Sequence, residues 1–72
     1  MEEKEFMTRI KKILDNEEVN MNTVLADLDE WDSLSIVSYV AMANATVGKK
    51  ILPVRIRDCV TIRDLYNLLV SE

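Results

Sequence analysis

Within the seven residues "DLDEWDS", Asp27 to Ser33, four carboxylates, a tryptophan and a serine stand almost side by side. Such a group invites two chemistries, cation binding by the acids and nucleophilic attack by the serine. The first fails on spacing. A calcium loop of the helix-loop-helix kind needs glycine at its sixth position and a carboxylate at its twelfth. Counted from Asp27, those positions hold Asp32 and Ser38. The second fails on partners, because a serine hydroxyl needs a base held beside it. The chain has no histidine, and a lysine could serve only if desolvated, yet Lys49 and Lys50 are adjacent at a polar helix end. No catalytic residue and no metal ligand is assigned. Asp27, Asp29, Glu30 and Asp32 read as a solvated acidic loop, and Ser33, taken alone, as a helix cap.

The elements around this junction are helical. In "EEKEFMTRIKKILDNEE" the residues Phe6, Ile10, Ile13 and Leu14 recur at helical spacing, with glutamates first and lysines after, as the helix dipole prefers. Helix 1 is predicted over residues 3–15. Residues 16–31 form a long connection with turn-favouring Asn16, Asn20 and Asn22. Val19, Met21, Val24, Leu25 and Leu28 are expected to pin it to the core. The next helix begins at Asp32 or Ser33. Ile36, Val40, Ala43 and Val47 form its predicted buried stripe, widened by Val37, Ala41 and Leu34, while Ser35, Ser38, Met42 and Thr46 take the outward lane. Gly48 suits a left-handed cap at its end. Pro53 opens a short helical turn over Val54–Cys59. In "TIRDLYNLLV", Thr61 and Asp64 form a shortened capping box, and Ile62, Leu65, Tyr66 and Leu69 the buried stripe. Trp31 reads as a core or lid aromatic, Cys59 as a small buried apolar residue, and Met42 as partly exposed.

The fold expected is therefore all-α: a small antiparallel bundle of three main helices and one short helix, with a long loop between helices 1 and 2. Composition agrees. The chain has 72 residues, of which 49% are apolar, with one glycine and one proline. This is enough for one core and too little turn material for an all-β chain. Net charge is −4, which disfavours nucleic acid as a partner. The charge is uneven: ten acids face four bases in residues 1–32, and three acids face five bases in residues 33–72. No run is long enough for a membrane span, the charged "MEEKEF" start does not read as a secretory signal, and the single Cys59 allows no internal disulfide. The expectation is a cytoplasmic monomer.

A family likeness enters here. "DSL" (Asp32, Ser33, Leu34) opens a helix after a long loop in a small acidic helical chain, "LADLDEWDSL" resembles the approach to that motif in its Trp-Asp-Ser-Leu variant, and "TIRDLYNLL" resembles a threonine-started last helix. Together these resemble an acyl carrier protein or a related phosphopantetheine-dependent carrier, over the chain from helix 1 to Leu69. The resemblance implies that Ser33 is esterified by 4′-phosphopantetheine from coenzyme A, and that the arm's thiol holds an acyl or aminoacyl group as a thioester. A separate phosphopantetheinyl transferase with magnesium would supply the charge neutralisation that Ser33 lacks. By the same resemblance Asp32 helps the transferase recognise the site, and Leu34 anchors the motif to the core or contacts the enzyme. The implied partners are this transferase and the enzymes that load and transfer the acyl or aminoacyl group.

The chain departs from the family pattern in two places. Asp29-Glu30-Trp31 replaces a shorter glycine-containing link. Residues 33–57 hold no acid, where family members carry carboxylates that dock basic enzymes. Steering would then be weak, or moved to the acidic loop before Ser33, which suits a specialised biosynthetic pathway better than general fatty-acid synthesis. Val37, Ala41 and Ile62 are the expected lining of a cargo cavity. From another class comes an unmodified helical interaction module, in which the acidic loop and Trp31 bind a partner and Ser33 is only a cap.

Overall fold

Strongly amphipathic segments at the two ends of the chain become helices that bury one stripe each. The computed structural model describes residues 1–71 and contains α1 (Glu3–Leu14), α2 (Ser33–Val47), α3 (Pro53–Arg57) and α4 (Ile62–Val70). No strand occurs among the described residues. In α1 the buried positions are Phe6, Ile10 and Leu14, spaced one helical turn apart as the sequence implies. Glu3 and Glu5 lie in its first turn and Lys11 and Lys12 in its last, where each complements the helix dipole. Asp15 ends the helix in the left-handed region, φ 51°. Aspartate tolerates that conformation better than most residues, and the Asn16 amide closes the end on the Lys11 carbonyl at 3.1 Å.

The long connection is tied down by backbone as well as by side chains. Val19, Met21 and Leu25 are buried in the core, and Leu25–Asp27 form a single 3₁₀ turn. Val24 pairs with Thr61 in an isolated antiparallel bridge. Around it the Leu25 amide donates to the Val60 carbonyl at 2.9 Å, Ile62 to Thr23 at 3.1 Å, and Arg63 to Met21 at 2.8 Å. Polar backbone that could not otherwise approach a core is thereby satisfied, and the connection is fastened to the start of α4.

The α4 end matches its sequence reading. Thr61 caps through the Asp64 amide, and the Asp64 carboxylate accepts from the Val60 and Thr61 amides at 2.8 and 3.1 Å. These amides hold the Asp64 carboxyl below its ordinary pKa, the Val60 amide most. Ile62, Leu65 and Leu69 are buried. Tyr66 is half-buried, tilted against Phe6 with ring centroids 5.3 Å apart, and its hydroxyl donates to the Met1 carbonyl at 2.8 Å. The short helix begins at Pro53 itself and ends at Arg57, one residue earlier than expected at its start and two at its end.

The face of α2 is where the expectation fails. Its buried residues are Ser35, Tyr39 and Ala43. Ile36 and Val40 only reach the core's edge, while Leu34, Val37 and Val47 are exposed. Ala43 is buried as predicted, but Ser35 and Tyr39 take the places expected for Ile36 and Val40, and Ser35 lies inside instead of in the outward lane. Apolar residues surround α2 on all sides, so periodicity alone could not orient it. Two polar contacts did. Ser35 is consumed by the helix cap, and Tyr39, fully buried, sends its hydroxyl to the Leu65 carbonyl at 2.6 Å, joining α2 to α4. Trp31 packs edge-on to the Tyr39 ring at 6.4 Å, in keeping with a lid aromatic. Gly48 closes α2 with φ 67°, as its position implies.

Candidate functional site

At the head of α2 three residues divide the work. Asp32, extended at φ −129°, is the N-cap, and its carboxylate accepts from the Ser35 amide at 3.0 Å. Ser35 completes a capping box: its hydroxyl oxygen accepts from the Asp32 amide at 3.3 Å, and its one proton is shared between the Glu30 carbonyl and the Asp32 carboxylate, the latter 2.9 Å away. Donation from the Ser35 amide, and then from the Ser35 hydroxyl, holds the Asp32 carboxyl below its ordinary pKa. Ser33 is the first residue of α2 and is exposed. The cap that sequence reasoning could assign to either Asp32 or Ser33 belongs to Asp32, with Ser35 as its reciprocal partner. Ser33 has no part in it.

Leu34 is 74% exposed, so it does not anchor the motif to the core. Its side chain joins an outward face continued by Val37 and Ala41. Beyond them a groove of about 590 Å³ is lined by Ile36, Val37, Val40, Ala41, Ile51 and Pro53, among others. Val37 and Ala41, expected to line a cargo cavity, border this open groove. Ile62 does not, being fully buried in the core. Ile36, Val40, Asn44, Ala45, Ile51 and Pro53 are the lining residues that sequence reasoning missed, and for those on α2 the small side chains of Ala41 and Ala45, one turn apart, were the available signal. A second hollow of about 380 Å³ lies between the acidic connection and α3 and shares Ile36 and Pro53 with the first. Trp31 and Cys59 border it. Cys59 is half-buried, not fully enclosed as expected. Burial first, and the carboxylates of Asp64 and Asp58 second, push its thiol up to about 11.

The acidic residues of the approach do not converge. Among the described residues no group of three or more His, Cys, Asp or Glu side chains is placed to hold a metal ion. Glu30 instead accepts a hydrogen bond from the Asn16 side chain at 3.3 Å, bracing the connection. Among the described residues no helix is long and apolar enough to cross a membrane. Comparison with known protein families, curated proteins and solved structures finds no match.

Proposed function

We propose that the chain is a carrier domain that bears 4′-phosphopantetheine on Ser33 and passes an acyl or aminoacyl thioester between partner enzymes. The observation that carries this reading is the division of labour at the head of α2: Asp32 and Ser35 make the cap, leaving Ser33 exposed and without a structural task. A serine kept only as a cap would accept from the second or third amide of the helix. Here both are taken by Asp32, the Ser35 amide by its carboxylate and the Ile36 amide by its carbonyl.

The site fits the group on two further counts. A phosphodiester on the first residue of a helix sits at the positive end of the helix dipole, near amides that favour anions. The Asp32 carboxylate, the nearest negative charge in sequence, is drawn onto the Ser35 amide, which moderates its repulsion of a phosphate. In the modification a Ser33 oxygen–phosphorus bond forms as the pyrophosphate P–O bond of coenzyme A breaks. The nucleotide part leaves with the other phosphate, and the hydroxyl proton passes to a base of the separate transferase, whose magnesium provides charge neutralisation. Once attached, the arm supplies a thiol that holds cargo as a thioester. Ser33 and its helix supply only position and solvent access, consistent with a chain that has no histidine.

Intact-protein mass spectrometry after incubation with coenzyme A, magnesium and a broad-specificity phosphopantetheinyl transferase tests this. A single phosphopantetheine-sized gain, absent in Ser33→Ala, is the expected result. Failure with the source organism's own transferase as well would refute it. In that case the unmodified interaction module becomes the better reading, and the exposed Leu34, Val37, Leu52 and Val54 are the features that favour it.

A further inference from the structure

The Ser35 side chain does more at the head of α2 than a cap requires. The cap bond itself uses backbone, the Ser35 amide donating to the Asp32 carboxylate at 3.0 Å, and any residue but proline at position 35 could supply it. The side chain is a separate matter. With 5% of its surface exposed, Ser35 is buried where its neighbours Asp32, Ser33 and Leu34 are exposed, and a buried hydroxyl requires partners. Its partners all lie upstream. It accepts from the Asp32 amide at 3.3 Å, and its proton is shared between the Glu30 carbonyl and the Asp32 carboxylate. The Asp32 amide also reaches the Glu30 carbonyl, at 3.1 Å. Residues 30–35 are thereby closed into a ring, of which Asp32, Ser33 and Leu34 are the exposed members.

Other contacts hold the approach only as far as Trp31. The Asn16 side chain donates to the Glu30 carboxylate at 3.3 Å, and the Trp31 ring packs edge-on to Tyr39. Neither contact reaches the first turn of α2. The tie from the Glu30 carbonyl to that turn is the Ser35 hydroxyl. Were it removed, the Glu30 carbonyl would keep, of its contacts among the described residues, only the Asp32 amide. The approach would then be free to shift against the helix.

We infer that Ser35 is a positioning residue for the modification of Ser33: by tying the Glu30 carbonyl and Asp32 to the first turn of α2, it presents Asp32, Ser33 and Leu34 to the transferase in one fixed arrangement. The inference rests on the carrier reading and deepens it, assigning the order of that site to a buried side chain that the transferase does not touch. The expected kinetic signature follows from where the order is needed. Apparent affinity falls in proportion to the fraction of free protein that holds the competent arrangement. Once bound, the transferase restores that arrangement, so loss of the tie raises KM and leaves kcat in place.

The test compares the parent with Ser35→Ala, with Ser35→Cys, which keeps the volume but weakens the hydrogen bonds, and with Ser35→Thr, which keeps the hydroxyl. Gly48→Ala, altered at the opposite end of α2, serves as a variant weakened away from the site. All are assayed at a temperature at which circular dichroism shows each to be folded. Transfer from coenzyme A, followed by intact mass, gives KM and kcat, and amide NOE measurements on the unmodified proteins give the order of residues 30–34. Ser35→Ala and Ser35→Cys should raise KM about threefold to tenfold, hold kcat within about twofold, and loosen residues 30–34. Ser35→Thr should recover both properties, and Gly48→Ala should match the parent in both. An unchanged KM in Ser35→Ala and Ser35→Cys, a rise that Gly48→Ala shares, no recovery in Ser35→Thr, or a loss confined to kcat would overturn the inference and leave the carrier reading standing. A parent that gains no mass refutes the carrier reading itself, and this inference with it.

Discussion

Tyr39 is the residue on which the orientation of α2 turns, and its removal gives the sharpest test of the packing. Its side chain is fully buried, its hydroxyl donates to the Leu65 carbonyl at 2.6 Å, and its ring meets Trp31 edge-on. Tyr39→Phe keeps the ring and deletes the donor, at a cost of about 0.5–1.5 kcal/mol. For a domain of this size each kcal/mol lowers Tm by about 4–8 °C. Tyr39→Ala also leaves a cavity, and loss of a large buried aromatic costs about 3–5 kcal/mol. At roughly 0.05–0.15 kcal/mol per residue the whole chain has only about 4–11 kcal/mol to lose, so this variant should forfeit from about a quarter to all of its stability. Burial, with a smaller contribution from Cys59, raises the Tyr39 phenol well above its ordinary pKa. The protonated phenol is the form the fold favours, so its contribution is complete below about pH 10, the unfolded value, and is lost as pH rises from there. Urea denaturation followed by circular dichroism, with and without Tyr39→Phe and at pH values on either side of 10, measures all three effects. A Tyr39→Phe protein as stable as the parent and with the same alkaline loss, or a Tyr39→Ala protein that folds with a small penalty, would refute the claim that this contact orients α2.

Ser33→Ala should change stability by less than about 0.5 kcal/mol, the usual range for a surface position without a structural contact, while abolishing the mass gain; a large drop in Tm would mean that the serine is structural. Asp32→Ala should destabilise the protein near neutrality, because the Ser35 amide loses its acceptor. Since the folded state lowers the Asp32 pKa, that contribution is present above about pH 4 and lost as pH falls through the folded value. The stability gap between parent and variant should therefore close in acid, and a gap that persists there would count against the cap. At Gly48, φ is 67° and a Cβ would meet no atom within 4 Å, so Gly48→Ala should cost about 1 kcal/mol through backbone strain alone. Equal thermal stability of Gly48→Ala and the parent would show that the turn relaxes out of the left-handed region.

How much was legible beforehand depended on how strongly each segment distinguishes its faces. In α1 and α4 charged residues occupy the solvent side, leaving one apolar stripe that could be buried, and both stripes were read correctly. The Thr61–Asp64 capping box and the Gly48 terminus are local devices that act within a few residues, so their sequence signatures sufficed. The pinning of the long connection was foreseeable from Val19, Met21 and Leu25. Its backbone pairing of Val24 with Thr61 was not, because nothing in either segment alone names the other.

For the candidate site the sequence by itself determined that a hydroxyl would follow an acidic approach, with no histidine in the chain to activate it and no acid downstream to Arg57. Those are properties of residue type and order, and they hold however the chain packs. Only the tertiary structure decided which side chain caps and which is free, and which side of α2 meets the solvent. With apolar residues around α2, hydrophobic burial nearly balances between faces, and the choice passes to a few hydrogen bonds. Ser35 is held by Asp32 and the Glu30 carbonyl, and Tyr39 by a carbonyl twenty-six residues away in α4. Such partners are brought together by folding, and the outward apolar face of Leu34 and Val37 is what that choice leaves exposed.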